Sequence, residues 1–178
     1  MAPLHEHPTR RPLLFAAAAI ILAAACDSPS EHEHGDGEPT AAQRQGVSQV
    51  QASLAHYQNL ASAQAAGYTA QFPAGCAESA EGAQGFHYLN EGLVDTTVEL
   101  LRPELVMYEP RADGSLQLIG VDYVVPLQAS EQPPTLLGMP FMRNEPLGVW
   151  ALHIWAWRQN PRGMFAAWNP AVSCANAR

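Results

Sequence analysis

The chain has 178 residues, contains no lysine, and carries 17 acidic against nine basic side chains, for a formal net charge of −8. This balance argues against nucleic acid as a partner, because phosphate backbones are bound by clustered basic side chains. It also argues against attachment to a membrane through a basic surface patch.

The N-terminus, residues 1–25, has the layout of a bacterial export signal. Arg10 and Arg11 precede the apolar run from Leu13 to Ala25, which is shorter than the roughly 20 apolar residues of a bilayer-spanning helix. The run ends in Leu-Ala-Ala-Ala followed by Cys26, which resembles the lipobox of bacterial lipoproteins, with its leucine one place early. This resemblance implies that Cys26 is lipidated and becomes the mature N-terminus. Cleavage by an ordinary signal peptidase, which would free the protein, is the alternative.

Residues 1–25 are compatible with two export routes. Thr9 to Leu14 also resembles a twin-arginine signal, and the alternative is an ordinary positively charged start of a signal peptide. The twin-arginine route carries folded proteins, some of them already loaded with a cofactor. In either case we expect an exported protein that is anchored by lipid to the cell envelope, at its periplasmic or extracellular face. That membrane contact through Cys26 is the one partner that the sequence suggests.

A tether is predicted at residues 26–39, because Asp27 to Pro39 offers no apolar side chain to bury. Glu31 to His34 alternates glutamate with histidine and could bind a transition metal loosely. A solvated acidic spacer is the other interpretation.

A single α+β domain is predicted for residues 40–178, with one long N-terminal helix packed on an antiparallel sheet. Thr40 and Gln43 fit a capping box, an apolar stripe follows at spacings of three and four, and Gly67 is a plausible end of the helix. Alternation and turn residues then predict strands at 86–89, 105–109, 116–125 and 149–157. Asp113-Gly114 is a strong hairpin turn signal between the second and third of these.

Cys76 and Cys174 remain as a pair if Cys26 carries lipid. In an oxidising compartment such a pair predicts a disulfide that closes most of the domain into one loop. Free thiols, a thiol nucleophile and a metal site are alternatives, although neither cysteine lies in a Cys-x-x-Cys motif.

The densest candidate for a binding site is the last predicted strand. Strand alternation places His153, Trp155 and Trp157 on one face, which could line a pocket for a small ligand. The alternative is that the tryptophans fill the core and His153 bonds to a carbonyl.

His87 provides a second candidate, in the strand that also contains Tyr88, and both are included among the predicted ligand-binding residues. If that strand neighbours the His153 strand, the two imidazoles meet on one face. With a carboxylate from Glu104, Glu109 or Asp122 they would form a site for zinc, copper or iron, haem iron included. We therefore expect His87 and His153 as metal ligands. Met139 and Met142 could be soft copper ligands, but packing within their loop is the favoured interpretation.

Motifs that would fix an activity do not occur in the sequence. It has no His-Glu-x-x-His, no Gly-x-Ser-x-Gly, no glycine-rich phosphate loop and no Cys-x-x-Cys-His. The leading hypothesis is an envelope lipoprotein that binds a small ligand, metal or cofactor in a pocket lined by histidine and tryptophan. An enzyme with His87 or His153 as general base, and a structural or interaction module, are the alternatives.

Several segments resemble a group of exported bacterial proteins of undefined activity. They are Gly85 to Asn90, Tyr108 to Pro110, Val121 to Pro126, His153 to Trp157 and Trp168 to Cys174. The resemblance covers most of the mature chain and implies one compact secreted domain. It assigns no function, so no functional residue follows from it.

Overall fold

The computed structural model describes residues 38–177. The predicted signal, the lipidation site at Cys26 and nearly all of the predicted tether lie outside the described residues. Within residues 38–177, no helix combines the length and the apolar character needed to cross a membrane.

The N-terminal helical region consists of short pieces, so the prediction of one long helix is wrong. Helix α1 spans Ala41–Leu54, a 3-10 turn spans Ala55–Gln58, and α2 spans Leu60–Ala65. The capping box at Thr40 is confirmed. At the break the carbonyl of Tyr57 accepts the Tyr108 hydroxyl at 2.7 Å, and the Asn59 side chain caps α2. The apolar spacing gives no sign of this interruption.

The fold is mostly β, which corrects the predicted α+β class. One six-stranded antiparallel sheet has the strand order β1-β2-β3-β4-β8-β7, and β5 pairs with β6 in a separate two-stranded sheet. The strands are β1 Ala70–Ser79, β2 Gly82–Leu89, β3 Leu105–Pro110, β4 Leu116–Pro126, β5 Thr135–Leu136, β6 Met139–Pro140, β7 Met142–Asn144 and β8 Val149–Ile154. The predicted hairpin is β3 and β4, and the last predicted strand ends at Ile154 rather than Trp157.

The six-stranded sheet is strongly curled. His87 on β2 and His153 on β8 are three strand spacings apart in the strand order, which in a flat sheet corresponds to about 14 Å. Their ring centroids are only 5.8 Å apart. Register shifts in the β1–β2 and β3–β4 pairs are consistent with this curvature, because bulges bend and twist a strand. The face that carries both histidines is therefore the concave face of the sheet.

The two faces of the sheet have different cores. The convex face contributes Tyr88, Val106, Val121 and Leu152 to the main apolar cluster, which also contains the buried stripe of α1. The concave face holds two smaller clusters instead. One includes Met107, Trp155 and Cys174, and the other includes Leu105, Val124 and Ala151. In strand register, His87 is opposite Met107 of the first cluster, and Asp122 is opposite Leu105 of the second.

The predicted disulfide between Cys76 and Cys174 is confirmed, with a Cα–Cα distance of 5.8 Å. It joins β1 to the C-terminal segment across 98 residues of sequence. Cys174 belongs to the same apolar cluster as Met107, Trp155 and Val172, so the bridge fixes the C-terminal segment at one end of the concave face.

Candidate metal centre

Three potential metal ligands converge on the concave face of the sheet. They are His87 of β2, Asp122 of β4 and His153 of β8, and one ligand atom of each lies within 4.8 Å of the others. Asp122 and His153 are directly opposite each other in the β4–β8 pair. His87 is opposite Met107, whose partner on β4 is Gly120, two residues before Asp122. The curl of the sheet closes the remaining distance.

Each of the three residues also has a buried side-chain atom without a hydrogen-bond partner. Within residues 38–177, His87 Nδ1, Asp122 Oδ1 and His153 Nε2 are buried and accept or donate no hydrogen bond. The distance from His153 Nε2 to Asp122 Oδ2 is 3.6 Å, too long for a normal hydrogen bond. A buried polar group without a partner costs about 1–3 kcal/mol, so three in one place require an explanation other than stability.

Burial sets the protonation states of the three residues. It lowers the pKa of His87 to about 4, although the nearby Asp122 carboxylate opposes that shift. Burial alone lowers the pKa of His153 to about 4. It raises the pKa of Asp122 to about 6, against the effect of His87. At neutral pH both imidazoles are therefore uncharged, with a free lone pair, and Asp122 is largely ionised. The contact between His153 and Asp122 is accordingly not an ion pair at that pH.

The structure brings the two predicted metal ligands together by a different route from the one that the sequence suggested. We expected the two imidazoles to meet if their strands were neighbours, whereas β3 and β4 separate the His87 and His153 strands. Of the three candidate carboxylates, only Asp122 joins them. Glu104 Oε2 accepts the Val124 amide at 3.1 Å instead. Glu109 Oε1 accepts the Ser173 amide at 3.2 Å, and arginine side chains lie near its other oxygen.

The aromatic candidates divide between the two faces. Trp155 lies beside His153, with ring centroids 6.3 Å apart and planes within 13° of parallel, and its indole N–H donates to Ala166 at 2.7 Å. Trp157 and Tyr88 pack against the main cluster on the other face. The backbone turns after β8, where the Ala156 amide donates to Ile154, so strand alternation does not extend to Trp157. The structure does not bring Tyr88 or Trp157 to the three donor atoms.

Gly120 is a residue of the site that the sequence analysis did not single out. A Cβ at this position would lie 2.6 Å from the carbonyl oxygen of Ile154 and 3.5 Å from the sulfur of Met107. Glycine therefore permits the end of β8 to approach β4 closely, one residue from His153. The available signal was a glycine inside an otherwise apolar strand, which often marks a close backbone approach.

Comparison with known proteins gives no independent assignment of this site. No family model, no curated protein and no solved structure matches the chain.

Proposed function

We propose that this chain is an exported cell-envelope protein that binds one transition-metal ion through His87, Asp122 and His153. The observation that carries the proposal is the convergence of these three residues, with one ligand atom of each within 4.8 Å of the others, at a place where each also has a buried side-chain atom without a hydrogen-bond partner. Low histidine pKa values support it further, because metal ions bind the neutral imidazole and compete with protons for it.

The donor set points to the class of ion. Two imidazoles and one carboxylate suit zinc, iron(II) or copper(II), whereas calcium and magnesium prefer oxygen ligands throughout. Haem iron fits less well. A porphyrin between His87 and His153 would occupy the plane around the iron, and an Asp122 oxygen lies within 4.8 Å of both imidazole nitrogens. A single ion without a macrocycle is therefore the ligand that we propose.

The alternatives from the sequence have less support. A general base works best with a pKa near the operating pH, and the pKa of each histidine is about 4. An interaction module calls for an exposed apolar patch, and in residues 38–177 the exposed large hydrophobic side chains are Leu101 and Met142.

Metal analysis of the full-length protein tests the proposal. We expect about one equivalent of bound ion after incubation with zinc and removal of the excess, and its loss in His87→Ala and in His153→Ala. His56→Ala is the matched control, because His56 is exposed and lies outside the site. Near-ultraviolet circular dichroism checks that each variant is folded. Equal metal content in the wild type and in both site variants would refute the proposal.

The envelope location is a separate part of the proposal and depends on the sequence of residues 1–26. Incorporation of radiolabelled palmitate in a bacterial host, compared between the wild type and Cys26→Ser, tests it. Label in the wild type alone supports lipid anchoring, and label in neither protein contradicts it.

A further inference from the structure

The protein supplies three donors to the candidate centre, which is fewer than a closed metal site requires. Structural zinc sites have four protein ligands, whereas sites that bind or activate an outside molecule have three and leave a position open. Iron sites with two histidines and one carboxylate also leave positions open. Among the residues that the structure describes, the group of histidine, cysteine, aspartate and glutamate at this point has three members.

We propose that the ion bound here keeps an exchangeable coordination position for a small monoanion, with hydroxide or water as its resident ligand. This inference rests on the proposed metal site. It adds the chemical class of the molecule on which the site acts.

Charge favours an anion at that position. Two neutral imidazoles and the Asp122 carboxylate supply one negative charge, which leaves a divalent ion with one positive charge uncompensated. An unpaired charge in a buried site is strongly unfavourable. The neighbouring acids are engaged elsewhere, because Glu104 accepts the Val124 amide, and Glu109 accepts the Ser173 amide near two arginines. A small anion on the ion would neutralise the remaining charge.

Burial limits the size of that anion. The side chains of Asp122 and His153 are 7% and 11% exposed, and His87 is 2% exposed as a residue. Apolar clusters lie on both sides of the donors along the strands, and the Trp155 ring lies beside His153. Such a position admits a ligand of a few atoms and excludes a polymer or a cofactor-sized molecule.

Azide titration of the cobalt(II) form of the full-length protein tests the inference. Cobalt replaces zinc or iron in such sites, and its visible absorption reports the ligands around it. We expect one bound cobalt per chain, and a saturable spectral change that corresponds to one azide. The double variant His87→Ala, His153→Ala should give no azide response, which excludes binding at the Glu31 to His34 segment.

The two proposals fail in different ways. One cobalt per chain with a spectrum that azide leaves unchanged overturns the open position and leaves the metal site intact. Failure to bind cobalt at all overturns both.

Asp122→Asn sharpens the test, because it removes the negative donor and leaves the ion with a larger positive charge. Where this variant retains cobalt, it should bind azide at least tenfold more tightly, a difference of about 1.4 kcal/mol. Asp122→Glu keeps the charge and serves as the comparison, and it should bind azide less tightly than Asp122→Asn. Equal azide affinity in all three proteins would contradict the charge argument, and loss of cobalt in Asp122→Asn leaves the wild-type titration to decide.

Discussion

The two faces of the curled sheet differ in whether their buried polar atoms have hydrogen-bond partners. On the convex side, the hydroxyls of Tyr68, Tyr108 and Tyr123 each donate to a backbone carbonyl, at 2.6 to 2.8 Å. On the concave side, His87, Asp122 and His153 each present an atom without a partner. Paired hydroxyls connect the sheet to the chain packed over it, which is a contribution to stability. Buried polar atoms without partners oppose stability, and three residues with such atoms that converge on one point are typical of a ligand-binding site.

The largest expected effect concerns the covalent link on the concave side. A bridge that closes a loop of about 100 residues stabilises a fold by roughly 4.7 kcal/mol on the loop-entropy model, and the two cysteines are 98 residues apart. The double variant Cys76→Ser, Cys174→Ser should therefore lose several kcal/mol of unfolding free energy in urea titrations.

The same double variant should also bind metal more weakly, because Cys174 belongs to the same apolar cluster as Trp155, whose ring lies beside His153. Wild-type protein treated with a reductant provides the matched measurement. Unchanged metal affinity in the double variant and in the reduced wild type would show that the disulfide is not needed to position the metal ligands.

A second prediction concerns pH and the face with the unpaired donors. Burial lowers the pKa of His153 from 6.5 to about 4. Below pH 6.5 the unfolded chain takes up a proton at this residue and the folded chain does not, so acid destabilises the metal-free fold until about pH 4. The contribution is about 1.4 kcal/mol per pH unit within that window. His153→Leu removes it.

Urea unfolding of the chelator-treated proteins at pH 7 and pH 4.5 measures this difference. The stability of His153→Leu relative to the wild type should rise as the pH falls. Because Asp122, Glu104 and His87 titrate in both proteins, their contributions cancel in the comparison to first order. A constant difference between wild type and His153→Leu at the two pH values would contradict the low pKa of this imidazole.

A third prediction concerns the close approach of β4 and β8 beside the centre. Gly120→Ala places a Cβ 2.6 Å from the Ile154 carbonyl, so the end of β8 must move. Overpacking of this kind costs about 1–3 kcal/mol. Metal affinity should fall as well, since His153 is the residue before Ile154. Retention of wild-type affinity in Gly120→Ala, measured by competition with a chelating dye, would show that the ligand geometry tolerates the shift.

Part of the fold and part of the candidate site could be predicted from the sequence. Strands β2, β3, β4 and β8, the hairpin turn and the disulfide were predictable, because alternation, Asp-Gly and an even pair of cysteines are local or countable signals. Strands β1, β5, β6 and β7 were not predicted. His87 and His153 were predictable as residue types, and Asp122 was one of three candidate carboxylates.

The curl of the sheet was not predictable, because it depends on bulges and on the order of strands that are distant in sequence. The break after α1 was also not predictable, because the apolar spacing gives no sign of it. The position of Trp157 was not predictable either. The backbone turns after Ile154, so the strand alternation that predicted Trp157 on the His153 face does not extend to it.

The smallest expected effect compares the two faces directly. Tyr108→Phe leaves the Tyr57 carbonyl without its donor and should lower the unfolding free energy by about 1 kcal/mol, the usual net value of such a hydrogen bond. His153→Leu removes a donor that has no partner, and at pH 7 without metal it should be neutral or stabilising. With saturating metal the order of the two variants' stabilities should reverse, because only a protein that keeps His153 is stabilised by metal binding. That stabilisation is about 2.7 kcal/mol when the metal concentration is a hundred times the dissociation constant. Equal losses for both variants in the metal-free state would mean that His153 is paired in solution, and that the concave face is built for stability like the convex one.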